Sequence, residues 1–496
     1  MSGELEPASS PDFDMLDSRE AGGLFLRGGG LRMLAYLGAV AASIAATPFV
    51  TRHLHATNYG HYVTVTSLLL IVAALTEGGI ANLGVREFSS RGERERNALM
   101  ESLLGMRIAL SVAGGLGAIL FTALAGYPRV VIAGTAIAAV GLVLANLQVT
   151  LSVPLTAALR LPWLAVLDFV GPAVTAAGLV LLVLLGASLL PFFAAAVAAY
   201  VATVAITATL VRRQVSIRPS FALRRWRPLL AQSAVFAAAT ALGAIYFQIV
   251  VVVMSLIANG HAVGVFSLAF RILSVVNGIP LLLVGSAFPI LLRAARDDRS
   301  RLRYALQRLL EGNLLLGGWF SLLVVTGAPF AVRVMGGGGY SGSATVLGIL
   351  GAGVTATFLA AVFAFALLAV RMYRALIVLN AGVVALAIVL CAALIPAYGA
   401  RGAAIASLTL EVVLATAYAL TLLSTHPELR PTLGVTARTL VALAVAFVVA
   451  LVLPVSSALS AVIGSTVLAI AIVALRVVPR ELLDIVRLRA NAEPTA

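Results

Sequence analysis

The sequence predicts an all-α polytopic membrane protein of about fourteen transmembrane helices, and three observations predict it. Apolar runs of roughly 18–30 residues recur from Leu31 to Val478, and a run of that length crosses the ~30 Å hydrocarbon core as a helix. A spanning strand would instead alternate polar and apolar residues over about ten positions, which these runs do not. The chain is 61% hydrophobic and 11% charged, against roughly 45–50% apolar and about 25% charged in soluble domains. Most of its positive charge, finally, sits in the short connectors between the runs.

Taken in order, the expected spans are 31–50, 62–83, 103–126, 130–153, 163–186 and 189–211. A basic linker, 212–228, follows. Then come 229–257, 262–292, 309–333, 344–370, 373–396 and 401–424, with 436–453 and 457–477 closing the series. With the N-terminus in the cytoplasm, the positive-inside rule tests this register. Four arginines follow span two, one follows span four, six each follow spans six and eight, and two each follow spans ten and twelve. The outer connectors hold only Arg52, Arg129, Arg333 and Arg401. A miscounted span would invert this alternation downstream of it, and no inversion occurs. Both termini are therefore expected in the cytoplasm of a bacterial cell, with the chain in its inner membrane.

The same alternation removes competing readings of the charge. The formal net charge of +14 comes from 34 arginines, with no lysine. The linker 212–228, with Phe221 and Trp226 among its arginines, reads as a cytoplasmic connector rather than a nucleic-acid patch. Cys391, the one cysteine, excludes an intramolecular disulfide and reads as a packing residue. His53, His55, His61 and His261 cluster at the outer ends of spans, but no Asp, Glu or Cys stands at ligand spacing, so no metal site is expected. Gly336–Gly339 lacks the lysine and helix context of a phosphate-cradling loop. Residues 1–28, acidic at the start where a signal peptide would be basic, read as a disordered cytoplasmic tail, and 479–496 as a cytoplasmic C-tail.

The basic linker divides the chain into six, six and two helices: an N-lobe over 29–211, a C-lobe over 229–425 and a pair over 426–478. A faint repeat crosses that division. Tyr59-Gly60-His61-Tyr62 precedes span two, and Val263-Gly264-Val265-Phe266 opens span eight. Repeated halves are how many transporters build a cavity that opens to either side in turn. Asn277-Gly278-Ile279-Pro280 and Pro289 in span eight, and Gly171-Pro172 in span five, must kink their helices, because proline removes a backbone donor and clashes with the preceding turn.

Ala262 to Arg271, with Pro280 and Pro289, resembles the seventh-to-eighth helix region of polysaccharide flippases of the multidrug/oligosaccharidyl-lipid/polysaccharide (MOP) exporter superfamily. The stretch from Pro48 to Arg52, Tyr59-Gly60, Tyr62, Glu77-Gly78-Gly79 and Arg86-Glu87 is similar to that family's first two helices. Ile395 to Ala404 is similar to the approach to its twelfth. Glu77 departs from the pattern, where aspartate is the commoner residue. The likeness covers roughly residues 30–425. It implies a MATE-like, V-shaped bundle whose helices one, two, seven and eight line a central cavity. It also implies flipping of an undecaprenyl-diphosphate-linked oligosaccharide to the outer leaflet by alternating access, for cell-surface polysaccharide assembly. Partners would be the bilayer, the lipid-linked glycan and a polysaccharide polymerase or glycosyltransferases.

Ionisable residues deep in a membrane are costly and mark functional candidates. Only Arg271 and Glu411 lie well away from both interfaces. Arg271, some ten residues into span eight and so ~15 Å deep, can meet a substrate phosphate with bidentate bonds or act in gating. It can equally form a buried pair, with Glu411 as partner. Glu411, Glu77 and Asp168 are candidates for H+ or Na+ coupling or for structural ion pairs. Arg107, Glu77, Asp168 and Glu311 are near enough to the interface to snorkel. Arg52 could receive the phosphate at the outer end; Tyr246, Gln248 and Asn277 could contact the substrate from spans seven and eight. An enzyme acting on the same lipids would need sizeable outer loops with catalytic side chains, and these connectors are short. A lipid II flippase and a MATE-type drug/cation antiporter are the alternatives.

Overall fold

A computed structural model of the chain describes residues 19–77, 79–453 and 455–475. Of the tails expected over 1–28 and 479–496, residues 1–18 and 479–496 lie outside the described residues, as does Gly78 of the Glu77-Gly78-Gly79 motif. Residues 19–28, expected to be disordered, are instead the start of a helix. Among the described residues every regular element is a helix. In the first half these are α1 (Arg19–Glu77), α2 (Ile80–Ser90), α3 (Glu93–Leu124), α4 (Arg129–Leu151), α5 (Val153–Ala157), α6 (Leu161–Leu184) and α7 (Leu189–Val211). The second half holds α8 (Leu223–Ile257), α9 (Gly260–Asp297), α10 (Arg299–Gly336), α11 (Ser343–Ala352), α12 (Val354–Ala369), α13 (Tyr373–Thr425), α14 (Leu433–Val452) and α15 (Ser457–Ala474).

Ten helices are long and apolar enough to cross a membrane, or eleven when α11 and α12, bent by 40° at their junction, form one span. Two of these are double. Helix α1 reverses at His55 (φ 56°, ψ 172°), so Thr47 and Thr66 line one cavity, although a straight helix would hold them about 28 Å apart. Helix α13 reverses at Gly399 (φ 54°, ψ −129°), which lets the Tyr418 hydroxyl donate to Asn380 Oδ1 at 3.0 Å. With the shorter apolar stretch Ala241–Ile257 of α8, the described residues make the fourteen passes the sequence predicts.

The connectors expected around 51–61 and 397–400 are not loops. A single positive-φ residue turns the chain in each case, and the helical ladder resumes at once. In α1 no slack remains for a loop, because Ala56 and Gly60 press directly on α9. The end of the bundle holding these two reversals is the hairpin end; the opposite end, where residues 212–222 cross, is the linker end. That linker is shorter than expected, since α8 begins at Leu223. It is also bound to the N-lobe. The Ser220 amide donates to the Glu101 carbonyl at 2.8 Å and the Ser216 amide to Asn97 Oδ1 at 2.8 Å. Trp226 is buried in an apolar cluster with Leu103, Met106 and Leu155.

Helices α1 to α7 pack among themselves as one lobe and α8 to α13 as another. The principal contacts between the lobes are those of α1 with α8 and α9. Helices α14 and α15 dock on the outside of the second lobe against α10. There Gly318 faces Leu443, and the Trp319 indole donates to Ser465 Oγ at 3.1 Å.

Candidate functional site

A cavity of about 690 Å³ lies between the lobes, walled by both arms of α1, by α4, α6 and α7, and by residues of α8 and α9. Its polar surface is mostly uncharged: Ser43, Thr47, Tyr62, Gln148, Tyr200 and Gln248 all face it. Arg271 is the one cationic side chain of the wall and Asp168 the one carboxylate. Asp168 is already engaged, accepting from Arg32 Nε at 2.6 Å. Arg271 instead crosses the lobe boundary to donate from Nη2 to Ser43 Oγ. No carboxylate lies within ion-pair distance of it among the described residues.

Local sequence explains that position. Gly264 and Arg271 are seven residues apart, so they share one face of α9. Gly264 brings that face against α1, and Arg271 therefore also meets α1, two turns along. On α1, Ser43, Thr47 and Thr51 form a stripe at four-residue spacing, each threonine hydroxyl donating to the carbonyl one turn back at 2.8 and 3.0 Å. Above them Tyr59, Tyr62 and Phe193 make a run of stacked rings toward the hairpin end.

The pairing of Arg271 with Glu411 does not form, because the two lie in different compartments. Glu411 lines a separate pocket of about 30 Å³ with Tyr246, Asn277 and Thr357. The Tyr246 and Thr357 hydroxyls stand against its carboxyl. Asn277 Oδ1 is buried there without a hydrogen-bond partner. Tyr246 and Asn277 thus sit beside Glu411, whereas Gln248 and Arg271 face the large cavity. A volume near 30 Å³ accommodates about one water-sized species.

Arg107 does not snorkel. It is fully buried, donating to the Thr76 carbonyl at 2.8 Å and to Thr150 Oγ1 at 3.2 Å, with Glu77 3.5 Å away. Asn146 joins the same group through Thr76 Oγ1 at 3.0 Å and Ser111 Oγ at 2.7 Å. The hydrogen bonds hold Arg107 inside the lobe because α3 presents it to the end of the second arm of α1. Glu311 pairs with Arg308 at 3.2 Å near the linker end.

Arg52 lies at the hairpin end, beyond the cavity. Its Nη2 donates to the carbonyls of Val334 at 2.7 Å and Arg333 at 3.5 Å, at the end of α10. Beside it Thr51 Oγ1 donates to the Met335 carbonyl at 2.5 Å, and the Tyr340 hydroxyl donates to the Thr51 carbonyl at 3.1 Å. The stretch Gly336–Gly339 is the turn that carries Tyr340 to this contact. Sequence reasoning missed the uncharged wall contributed by α4 and α7. Gln148 and Tyr200 there look like ordinary polar residues in apolar runs, and no charge marks them. The stripe Ser43, Thr47, Thr51 was a legible signal.

A family model described as polysaccharide biosynthesis protein matches residues 25–295. No curated protein matches the chain by sequence. Among solved structures it is similar to the lipid II flippase MurJ in an inward closed conformation, with a TM-score of 0.74 and 13% identity over 90% of this chain and 99% of that one. It is also similar to a multidrug resistance MATE family transporter of the MOP superfamily in an inward-facing conformation: TM-score 0.65, 12% identity, 80% of this chain and 98% of that one. A mutant of the Vibrio cholerae MATE transporter VcmN gives 0.54 at 14% identity, over 82% and 98%. At these identities the structural likenesses carry the fold, and the match over more than half of the sequence carries the family. The chain belongs to the polysaccharide biosynthesis protein family.

Proposed function

We propose that the chain flips an undecaprenyl-diphosphate-linked oligosaccharide from the cytoplasmic to the outer leaflet by alternating access. The linker end faces the cytoplasm in this reading and the hairpin end faces outward. The observation that carries it is Arg271, the one cationic side chain of a hydroxyl-rich cavity between two lobes, bound to Ser43 and with the cavity's one carboxylate, Asp168, engaged by Arg32. A diphosphate needs a fixed cation to enter a low-dielectric space, and a guanidinium offers two parallel charge-assisted bonds. The neutral hydroxyl and amide wall suits the sugar that follows. Ser43 Oγ holds the guanidinium through a neutral acceptor, which an anion would displace without leaving a carboxylate unpaired.

Movement would be driven by a coupling H+ or Na+, for which the pocket around Glu411 has the appropriate oxygen chemistry and size. Neither step makes or breaks a covalent bond, so the chain acts as a transporter and not as an enzyme. In the cell it would work beside the glycosyltransferases that build the lipid-linked glycan and the polymerase that consumes it.

The test is transport of a lipid-linked oligosaccharide into the outer leaflet of proteoliposomes, with lipid II run in parallel. Arg271→Ala should lower the rate by roughly 10- to 100-fold, the loss expected for hydrogen bonds to a charged group. Arg271→Lys should fall between Ala and the unaltered protein, because a point charge cannot bond bidentately. Unimpaired transport by a properly inserted Arg271→Ala protein would sink the assignment. Preferential transport of lipid II would replace the oligosaccharide with the peptidoglycan precursor.

A further inference from the structure

The closed hairpin end contains a guanidinium that the cavity does not use. The last carbonyls of a helix have no partner within it and form the negative end of its dipole. In α10 those carbonyls are met from the other lobe: Val334 by Arg52 at 2.7 Å and Met335 by Thr51 at 2.5 Å. Tyr340 returns a bond to the Thr51 carbonyl and sets its ring edge-on to Tyr59, a cavity-wall residue, at 6.2 Å. The latch is therefore one residue beyond the roof of the cavity. Every acceptor in it is a neutral carbonyl, and Arg52 itself is exposed.

We propose that Arg52 is an exchangeable latch: it ties α1 to the end of α10 when the outer side is closed, and the substrate diphosphate takes it from those carbonyls as the outer side opens. A phosphate offers the guanidinium a full opposite charge and two parallel bonds, which single neutral carbonyls do not. An anion arriving beneath the roof thus removes the bond that holds the roof shut. Arg271 and Arg52 then form two anion stations in series along α1, since Arg271 meets Ser43 and Arg52 lies nine residues, or about 14 Å, farther out. The exchange rests on the diphosphate reading above, whereas the latch does not.

Val50, which lines the cavity and is 4% exposed, reports the state of the roof. Val50→Cys in a Cys391→Ala background is labelled in intact cells with a membrane-impermeant maleimide. Labelling should be slow with Arg52 present, about tenfold faster in Arg52→Ala, and intermediate in Arg52→Lys. Equal rates in all three would overturn the latch. In proteoliposomes, a polyprenyl diphosphate in the bilayer should accelerate labelling of the Arg52 protein at least fivefold and leave Arg52→Ala unchanged. Equal acceleration of both would overturn the exchange, and a response to dissolved inorganic pyrophosphate alone would overturn the lipid-borne source. If Arg271→Ala still transports while these labelling rates hold, the transport assignment fails and the latch stands.

Discussion

Gly60 and Gly264 meet backbone to backbone across the two lobes: a Cβ on Gly60 would lie 2.8 Å from the Gly264 nitrogen and 2.2 Å from the Gly260 carbonyl oxygen. A Cβ on Gly264 would lie 1.8 Å from the Ala56 oxygen. The two glycines are the centres of the faint repeat in the sequence. The structure gives that repeat a purpose, since each half supplies one side of the contact that closes the hairpin end.

Gly264→Ala should therefore prevent this closure. The obstructing atom is backbone, which cannot rotate aside, and overpacking of this kind costs about 1–3 kcal/mol. The expected result is rapid labelling of Val50→Cys from outside, with export lost and the protein still inserted. Normal labelling and export would show that the lobes close without this contact.

Glu77→Ala should lower thermal stability in detergent. Arg107 is fully buried and Glu77 about a third exposed (32%), so the loss should be about 2–3 kcal/mol, below the full penalty of stranding a buried charge. The double variant Glu77→Gln with Arg107→Met should recover much of it, because no charge is then left uncompensated. A Glu77→Ala protein melting at the unaltered temperature would remove the pair from the account.

Gly105→Ala should loosen the linker. A Cβ at residue 105 would lie 2.0 Å from the Ser220 carbonyl oxygen, so the 212–222 segment must lift from α3. Faster cleavage in that segment by an arginine-specific protease, in inside-out vesicles, is the expected reading. Unchanged cleavage would mean that the linker reseats elsewhere.

Asp298 caps α10 from outside the spans, accepting from the Ser300 hydroxyl at 2.6 Å and from the amides of Ser300 and Arg301 at 2.8 and 3.3 Å. The Ser300 hydroxyl foremost, then those amides, holds its carboxyl below the usual carboxylate value. A carboxyl lowered on folding stabilises fully above its unfolded pKa, about 3.9, and loses that contribution as pH falls through the lower folded value. The difference in melting temperature between the unaltered protein and Asp298→Ala should thus stay constant from pH 8 to pH 5. It should shrink only below about pH 4. A difference that vanished near neutrality would assign the cap to another group.

The amino-acid sequence by itself determined the number of passes and the family, because hydrocarbon thickness sets span length and the motifs stand at ordered positions along the chain. The arginine alternation predicts an orientation as well. It also singled out Arg271, since a charge far from both interfaces is costly enough to be conspicuous in one dimension. It could not assign partners, because pairing depends on which faces of kinked helices meet. Only the tertiary structure separated Arg271 from Glu411, buried Arg107 beside Glu77, and turned Arg52 from an interfacial arginine into a tie between α1 and α10. The cavity wall was hidden for the same reason. Hydroxyls and amides such as Tyr200 and Gln148 carry no charge to mark them, and they become a site only when helices of both lobes bring them to one surface.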